Sequence, residues 1–194
     1  MKLKLLGLAG LATVTIAAIA FTNEQHLVLM TDAVGKGQEA PTFTTTAIGG
    51  DKVDFPKAYK GKIVLIDFWA TWCPPCVREI PNLVKVHDKY VGDDFAVIGV
   101  SLDESRNRSE DRVKEFAAKK EMKWLNIYTD SNEIAGAYHI SAIPTPILID
   151  ADTGKVLERG GSLKGKSLED QVKKYVDAKV EEKEQKKEEE KKEE

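Results

Sequence analysis

The stretch that most constrains this chain runs Ile63-Val64-Leu65-Ile66-Asp67-Phe68-Trp69-Ala70-Thr71-Trp72-Cys73-Pro74-Pro75-Cys76. Its β-branched, aliphatic and aromatic residues predict a buried strand. A short turn follows and delivers two cysteines to whatever comes next. Ile80, Leu83, Val84 and Tyr90 then recur at roughly helical spacing, with Val86 one place off the stripe. This predicts a helix from Cys76 to about Tyr90, kinked at Pro81. A helix N-terminus carries unpaired N–H groups and partial positive charge, and both stabilise a thiolate. Pro74 falls in the first turn, where a missing N–H costs no hydrogen bond.

Cysteine arithmetic narrows the chemistry. The chain has 194 residues and two cysteines, both in this Cys-x-x-Cys, so no further intrachain disulfide is possible. A zinc site needs more ligands, and His26, His87 and His139 are scattered singly. They read as surface or structural histidines, and no metal is expected. Net charge is −3, and the eight Glu and five Lys of 181–194 account for it, leaving the rest near neutral. Nothing in that balance suits nucleic acid.

Met1–Phe21 has Lys2 and Lys4 followed by a 17-residue uncharged run, Leu5 to Phe21, with Ala18-Ile19-Ala20 as a small-x-small sequence. It reads as a cleaved secretory signal peptide or an uncleaved membrane anchor, and either one takes the remainder out of the cytosol. Residues 22–39 read as a linker, 40–180 as one domain, and 181–194 as a solvated Glu/Lys tail that can extend the last helix through i,i+4 pairs. Within the domain, Phe43–Ala47 and Val53–Phe55 form a predicted hairpin around Gly49-Gly50-Asp51-Lys52. Phe95–Ser101 is a second buried strand. Asp103–Arg108 is a polar loop, Ser109–Lys120 a helix with an acidic start and basic end, and Trp124–Tyr128 a short strand. Glu133–Tyr138 is a short helix, Ile147–Asp150 and Lys155–Arg159 a strand pair, and Leu168, Val172, Tyr175 and Val176 mark a final amphipathic helix.

The segment Asp67-Phe68-Trp69-Ala70-Thr71-Trp72-Cys73-Pro74-Pro75-Cys76 resembles the active site of thioredoxin-fold proteins of the TlpA/ResA-like extracytoplasmic branch. The resemblance covers about residues 40–180. It implies an α/β thioredoxin fold, a central mixed sheet flanked by helices, preceded by an N-terminal β-hairpin and carrying a central helix–strand insertion at Ser109–Tyr128. It implies thiol–disulfide exchange without a cofactor. Protein thiols and disulfides are then the partners, and a membrane thiol donor supplies electrons. The branch includes proteins that reduce apocytochrome c cysteines and others that serve copper-site or sporulation thiols.

In that chemistry Cys73 is the exposed nucleophile and Cys76 the more buried resolving thiol. Pro74 and Pro75 have no N–H, so the Cys73 sulfur keeps only the Cys76 amide among nearby backbone donors. Its thiolate is then moderately stabilised, which favours a reductant. Asp67, a carboxylate inside an apolar strand, has its pKa raised by burial and is a proton acceptor for Cys76. It matches the buried aspartate of thioredoxin, where the TlpA-like branch frequently has asparagine. Glu79 matches a glutamate that ResA-like proteins use near the disulfide. Ile143-Pro144 matches the cis-proline loop, which offers Ile143 backbone groups to an extended substrate. Trp69 and Trp72 read as packing residues, with Trp72 at the substrate-facing rim.

Two other readings are distinguishable. A peroxiredoxin-like peroxidase needs a Pro-x-x-x-Thr/Ser-x-x-Cys arrangement, and no proline stands among Ile66, Asp67 and Phe68. A Cu(I)-handling or scaffold module would need only the two thiolates. In that case Asp67 would barely matter.

Overall fold

The computed structural model describes residues 34–193. The predicted signal or anchor at 1–21 and the first part of the linker lie outside them. Among the described residues no helix is long and apolar enough to cross a membrane.

Seven strands and four α-helices build the domain: β1 (Phe43–Thr46), β2 (Lys52–Phe55), β3 (Ile63–Trp69), α1 (Pro74–Tyr90), β4 (Phe95–Ser101), α2 (Glu110–Lys119), β5 (Leu125–Ile127), α3 (Ser131–Ala137), β6 (Thr145–Asp150), β7 (Lys155–Arg159) and α4 (Lys166–Glu193). A mixed five-stranded sheet runs β5-β4-β3-β6-β7, and β1-β2 is a separate hairpin. β3 is central, parallel to β4 and antiparallel to β6. Every residue of β3 is buried because both faces are covered. This is the expected α/β thioredoxin fold, hairpin and helix–strand insertion included.

The period-two alternation of a strand divides the core. Ile63, Leu65 and Trp69 pack with Ile80 and Leu83 of α1 and Leu168 and Val172 of α4. Val64, Ile66 and Phe68 pack on the other face with Val53 and Phe55 of the hairpin and Ile134 of α3. Each such large apolar side chain contributes about 1.5–3 kcal/mol by leaving water. Asp67 shares the parity of Leu65 and Trp69, so it lies on the α1 side.

Several boundaries differ from expectation. Val86 and His87 are both buried on α1, so the buried stripe is wider than the sequence spacing indicated and Val86 belongs to it. His87 is structural, its ring 5.4 Å from that of Trp124. Helix α1 continues through Pro81, whose missing N–H leaves one carbonyl without an intrahelical donor. The last residues of the expected linker are part of the domain. Gly37 N donates to Val156 O (2.8 Å), Val156 N to Gln38 O (2.9 Å) and Ala40 N to Gly154 O (2.8 Å), covering the edge of β7.

The expected tail boundary at 180/181 falls inside α4. Beyond it, Glu182 pairs with Lys179, and Lys183 pairs with Asp94.

Candidate active site

Parallel strands place their C-terminal ends on one edge of the sheet, and the ends of β3 and β4 build the site there. Cys73 is the N-cap of α1 and Pro74 its first residue. Cys73 and Cys76 form a disulfide with Cα atoms 5.3 Å apart. The Cys76 amide donates to Cys73 Sγ at 3.2 Å. On the opposite side, Ile143 O stands 3.8 Å from Cys73 Sγ. Cys76 is 1% exposed, and Cys73, expected to be exposed, is 4% exposed. The Ile143 carbonyl stands against its sulfur, and little of the residue reaches solvent.

Asp67 is 3% exposed. Its register partners are Gly99 and Pro146, which bring no polar side chain. Burial pushes its carboxyl from 3.8 up to about 7; the Lys164 charge pulls it down and Glu79 pushes it up. Asp67, Glu79, Pro144 and Lys164 line one narrow cleft. Glu79 Oε2 accepts from Asn82 Nδ2 (3.1 Å) and from the Gly165 amide (2.9 Å), which ties α1 to the segment entering α4.

The Ile143–Pro144 bond is cis. Ile143 also lines an open, largely apolar groove with Trp72, Leu102, Ile140 and Ala142. The Arg106 guanidinium lies 3.6 Å from the centre of the Trp72 ring, a cation–π contact. Trp69, by contrast, is wholly buried and donates through Nε1 to Asn126 Oδ1 at 3.2 Å. A Cβ on Gly99 would meet that oxygen at 2.2 Å, so only glycine lets the indole and amide close over the sheet.

Three residues escaped the sequence reading. Asp103, read there as part of a polar loop, is wholly buried. It accepts from Thr71 N (2.8 Å), Thr71 Oγ1 (2.5 Å) and Ser101 Oγ (2.8 Å), pinning the turn before Cys73 to the end of β4. The usable signal was an acid two residues past the end of a buried apolar strand. Arg106 and Lys164 left no such signal, since their contacts depend on loops meeting in space.

The AhpC/TSA family model matches residues 36–159, well over half of the chain. The chain belongs to the AhpC/TSA family. It is 32% identical over 159 residues to the thiol-disulfide oxidoreductase ResA of Bacillus thuringiensis subsp. konkukian, covering 82% of this chain and 87% of that protein. Among solved structures, the thioredoxin domain of a thiol-disulfide oxidoreductase from Bacteroides vulgatus superposes with TM-score 0.63 at 30% identity, over 73% of this chain and 97% of that one. StoA from Bacillus subtilis does so with TM-score 0.54 at 26% identity, over 62% and 87%. A Cys-x-x-Cys disulfide at a helix N-terminus, with a buried carboxylate on the strand that leads into it, suits the exchange chemistry those relatives are named for. Among the described residues no group of three or more His, Cys, Asp or Glu is placed to hold a metal.

Proposed function

We propose that this thiol-disulfide oxidoreductase works outside the cytosol as a reductase of protein disulfides, fed by a membrane thiol donor. The observation that carries the direction is the sparse stabilisation of the Cys73 sulfur. One backbone amide, that of Cys76, reaches it at 3.2 Å. Pro74 and Pro75 contribute none, and the Ile143 carbonyl oxygen 3.8 Å away opposes negative charge. A thiolate held this weakly leaves the reduced form relatively high in energy, which lowers the reduction potential.

The cycle uses the neighbouring residues in turn. Cys73 thiolate attacks a client disulfide and forms a mixed disulfide. Asp67 accepts the Cys76 proton, and the Cys76 sulfur displaces the client thiol while closing the Cys73–Cys76 bond. Glu79 shares the Asp67 cleft and gives it a polar lining. Trp72, Ile143 and Pro144 receive the client as an extended segment by backbone pairing, with little demand on its side chains. Its clients belong to the kinds this branch serves: apocytochrome c cysteines before haem attachment, copper-site thiols or sporulation-related thiols. Export rests on Met1–Phe21, cleaved as a signal or kept as an anchor.

The test is the reduction potential of the full chain in thiol redox buffers, read from Trp69 and Trp72 fluorescence. A value near about −270 mV or lower supports the reductase, and one near about −120 mV overturns it in favour of an oxidant.

A further inference from the structure

Asp67 is one of three ionisable side chains that line a single cleft, and the third, Lys164, has no part in the cycle above. It stands at the end of the 3₁₀ turn Gly160–Leu163, between buried Leu163 and Gly165. The Gly165 amide is bound to Glu79 Oε2 at 2.9 Å, so the backbone that carries Lys164 is fixed to α1. Among the described residues the Lys164 ammonium makes no ion pair within 4.0 Å, in contrast to Lys36, Lys89, Lys123, Lys173, Lys179, Lys183 and Lys186. Its charge is therefore not neutralised by a neighbour and acts across the cleft that it shares with Asp67.

The charged groups around Asp67 are few. From α1 comes Glu79, with Cys76 one turn earlier on the same helix. From the approach to α4 comes Lys164. The strand neighbours Gly99 and Pro146 are neutral. Burial and Glu79 both favour the protonated acid, and Lys164 alone opposes them.

We propose that Lys164 is a positioning residue of this site, acting through Asp67: its ammonium, in the cleft that Asp67 and Glu79 also line, favours the Asp67 carboxylate as acceptor of the Cys76 proton when the mixed disulfide is resolved. The step balances without an outside reagent. The Cys76 proton passes to the Asp67 carboxylate, the Cys76 sulfur forms the bond to Cys73, the Cys73–client S–S bond breaks, and the client leaves as thiolate to take up a proton. This rests on the reading of Asp67 as proton acceptor.

The experiment caps Cys73 of the reduced full chain with glutathione in acid, then follows glutathione release after jumps to a series of pH values across neutrality. In Lys164→Ala and Lys164→Gln the inflection of the release rate moves to higher pH. Each half pH unit of displacement removes about twofold of the ionised Asp67, and of the rate, at pH 7. Lys164→Arg restores the original inflection. If the inflection stays in place in both neutral variants, or moves equally in Lys164→Arg, the proposal is overturned. Asp67→Asn separates the two ideas. Loss of the neutral inflection in that variant upholds Asp67 as acceptor whatever the lysine variants do. Its persistence overturns the Asp67 reading and this proposal with it.

Discussion

Two buried ionisable side chains, each 3% exposed, sit in opposite settings: Asp67 on β3 and Lys179 on α4. Lys179 Nζ is surrounded by Asp152 Oδ2 (2.9 Å), Asp150 Oδ2 (3.0 Å) and Glu182 Oε2 (3.1 Å). Burial alone would pull its pKa down, but the three carboxylates win and hold it above the ordinary lysine value. The Asp67 carboxylate makes no side-chain hydrogen bond or ion pair among the described residues, and burial moves it into the neutral range. Burial with counter-ions locks a charge and fastens a helix to the sheet. Burial without them produces a group that titrates where a cell works. The lesson is that partners, rather than depth, separate an anchor from an acid–base group.

Asp67→Asn removes the titrating group and keeps its shape. If Asp67 serves Cys76, resolution of the mixed disulfide at pH 7 slows by about 10²-fold or more. Stability moves the other way. The folded carboxyl titrates near 7 and the unfolded one near 3.8, so the folded state binds the extra proton between those values. Stability that is full below the unfolded value is lost as pH rises through the folded one, by up to about 4 kcal/mol. Denaturation of the asparagine variant should therefore show a gain above pH 7 that fades toward acid. A gain of equal size at all pH values would mean that Asp67 does not titrate alone in this range.

Lys179→Met tests the other side. It leaves three carboxylates facing one another, two of them partly solvated, at a cost of about 2–4 kcal/mol. The midpoint in urea should fall, while the reduction potential of the Cys73–Cys76 pair and the pH profile of exchange stay where they were. The pH signature of the cluster is opposite to that of Asp67. Hydrogen bonds from Lys179 and Gly61 hold the Asp152 carboxyl below its usual value against the opposing effect of burial. Its contribution is present above the unfolded value and is lost as pH falls through the folded one.

Asp103 is the intermediate case, a buried carboxylate satisfied by neutral donors. Thr71→Val deletes the hydroxyl donor 2.5 Å from Asp103 Oδ1 and leaves the Thr71 backbone donor in place. The expected loss is about 1.5–3 kcal/mol, as for a hydrogen bond to a charged group. Because this bond pins the turn before Cys73, the rate of Cys73 alkylation should change with it, while the asparagine-type pH signature should not appear.

How much of this was legible in the sequence follows the reach of each interaction. β4 and β7 occupy the predicted residues, Phe95–Ser101 and Lys155–Arg159, because a run of apolar residues or a flanking turn defines a strand locally. The Cys pair and the carboxylate behind it were legible for the same reason, an odd residue inside a regular pattern. Lys164 and Asp103 were not. Gly165 meets Glu79 across 86 positions and Asp103 meets Thr71 across 32, and no local periodicity encodes either meeting. The last helix does extend into the Glu/Lys stretch, but the Lys183–Asp94 pair that ties this extension to the domain spans 89 positions and left no local signal.

Beyond residue 180, Lys183 reaches back to the domain, its Nζ 2.6 Å from Asp94 Oδ1 and 3.2 Å from Asp93 O. Both side chains of the pair are about one third exposed, 32% and 31%, so water screens them and the pair contributes about 0.5–1 kcal/mol. Lys183→Ala should lower the urea midpoint slightly, and high salt should erase the difference from wild type, since an exposed pair is screened and a buried one is not. Lys179→Met at the same salt should keep most of its deficit. If salt removed both deficits equally, Lys179 would be behaving as a surface charge, and the contrast with Asp67 would reduce to exposure after all.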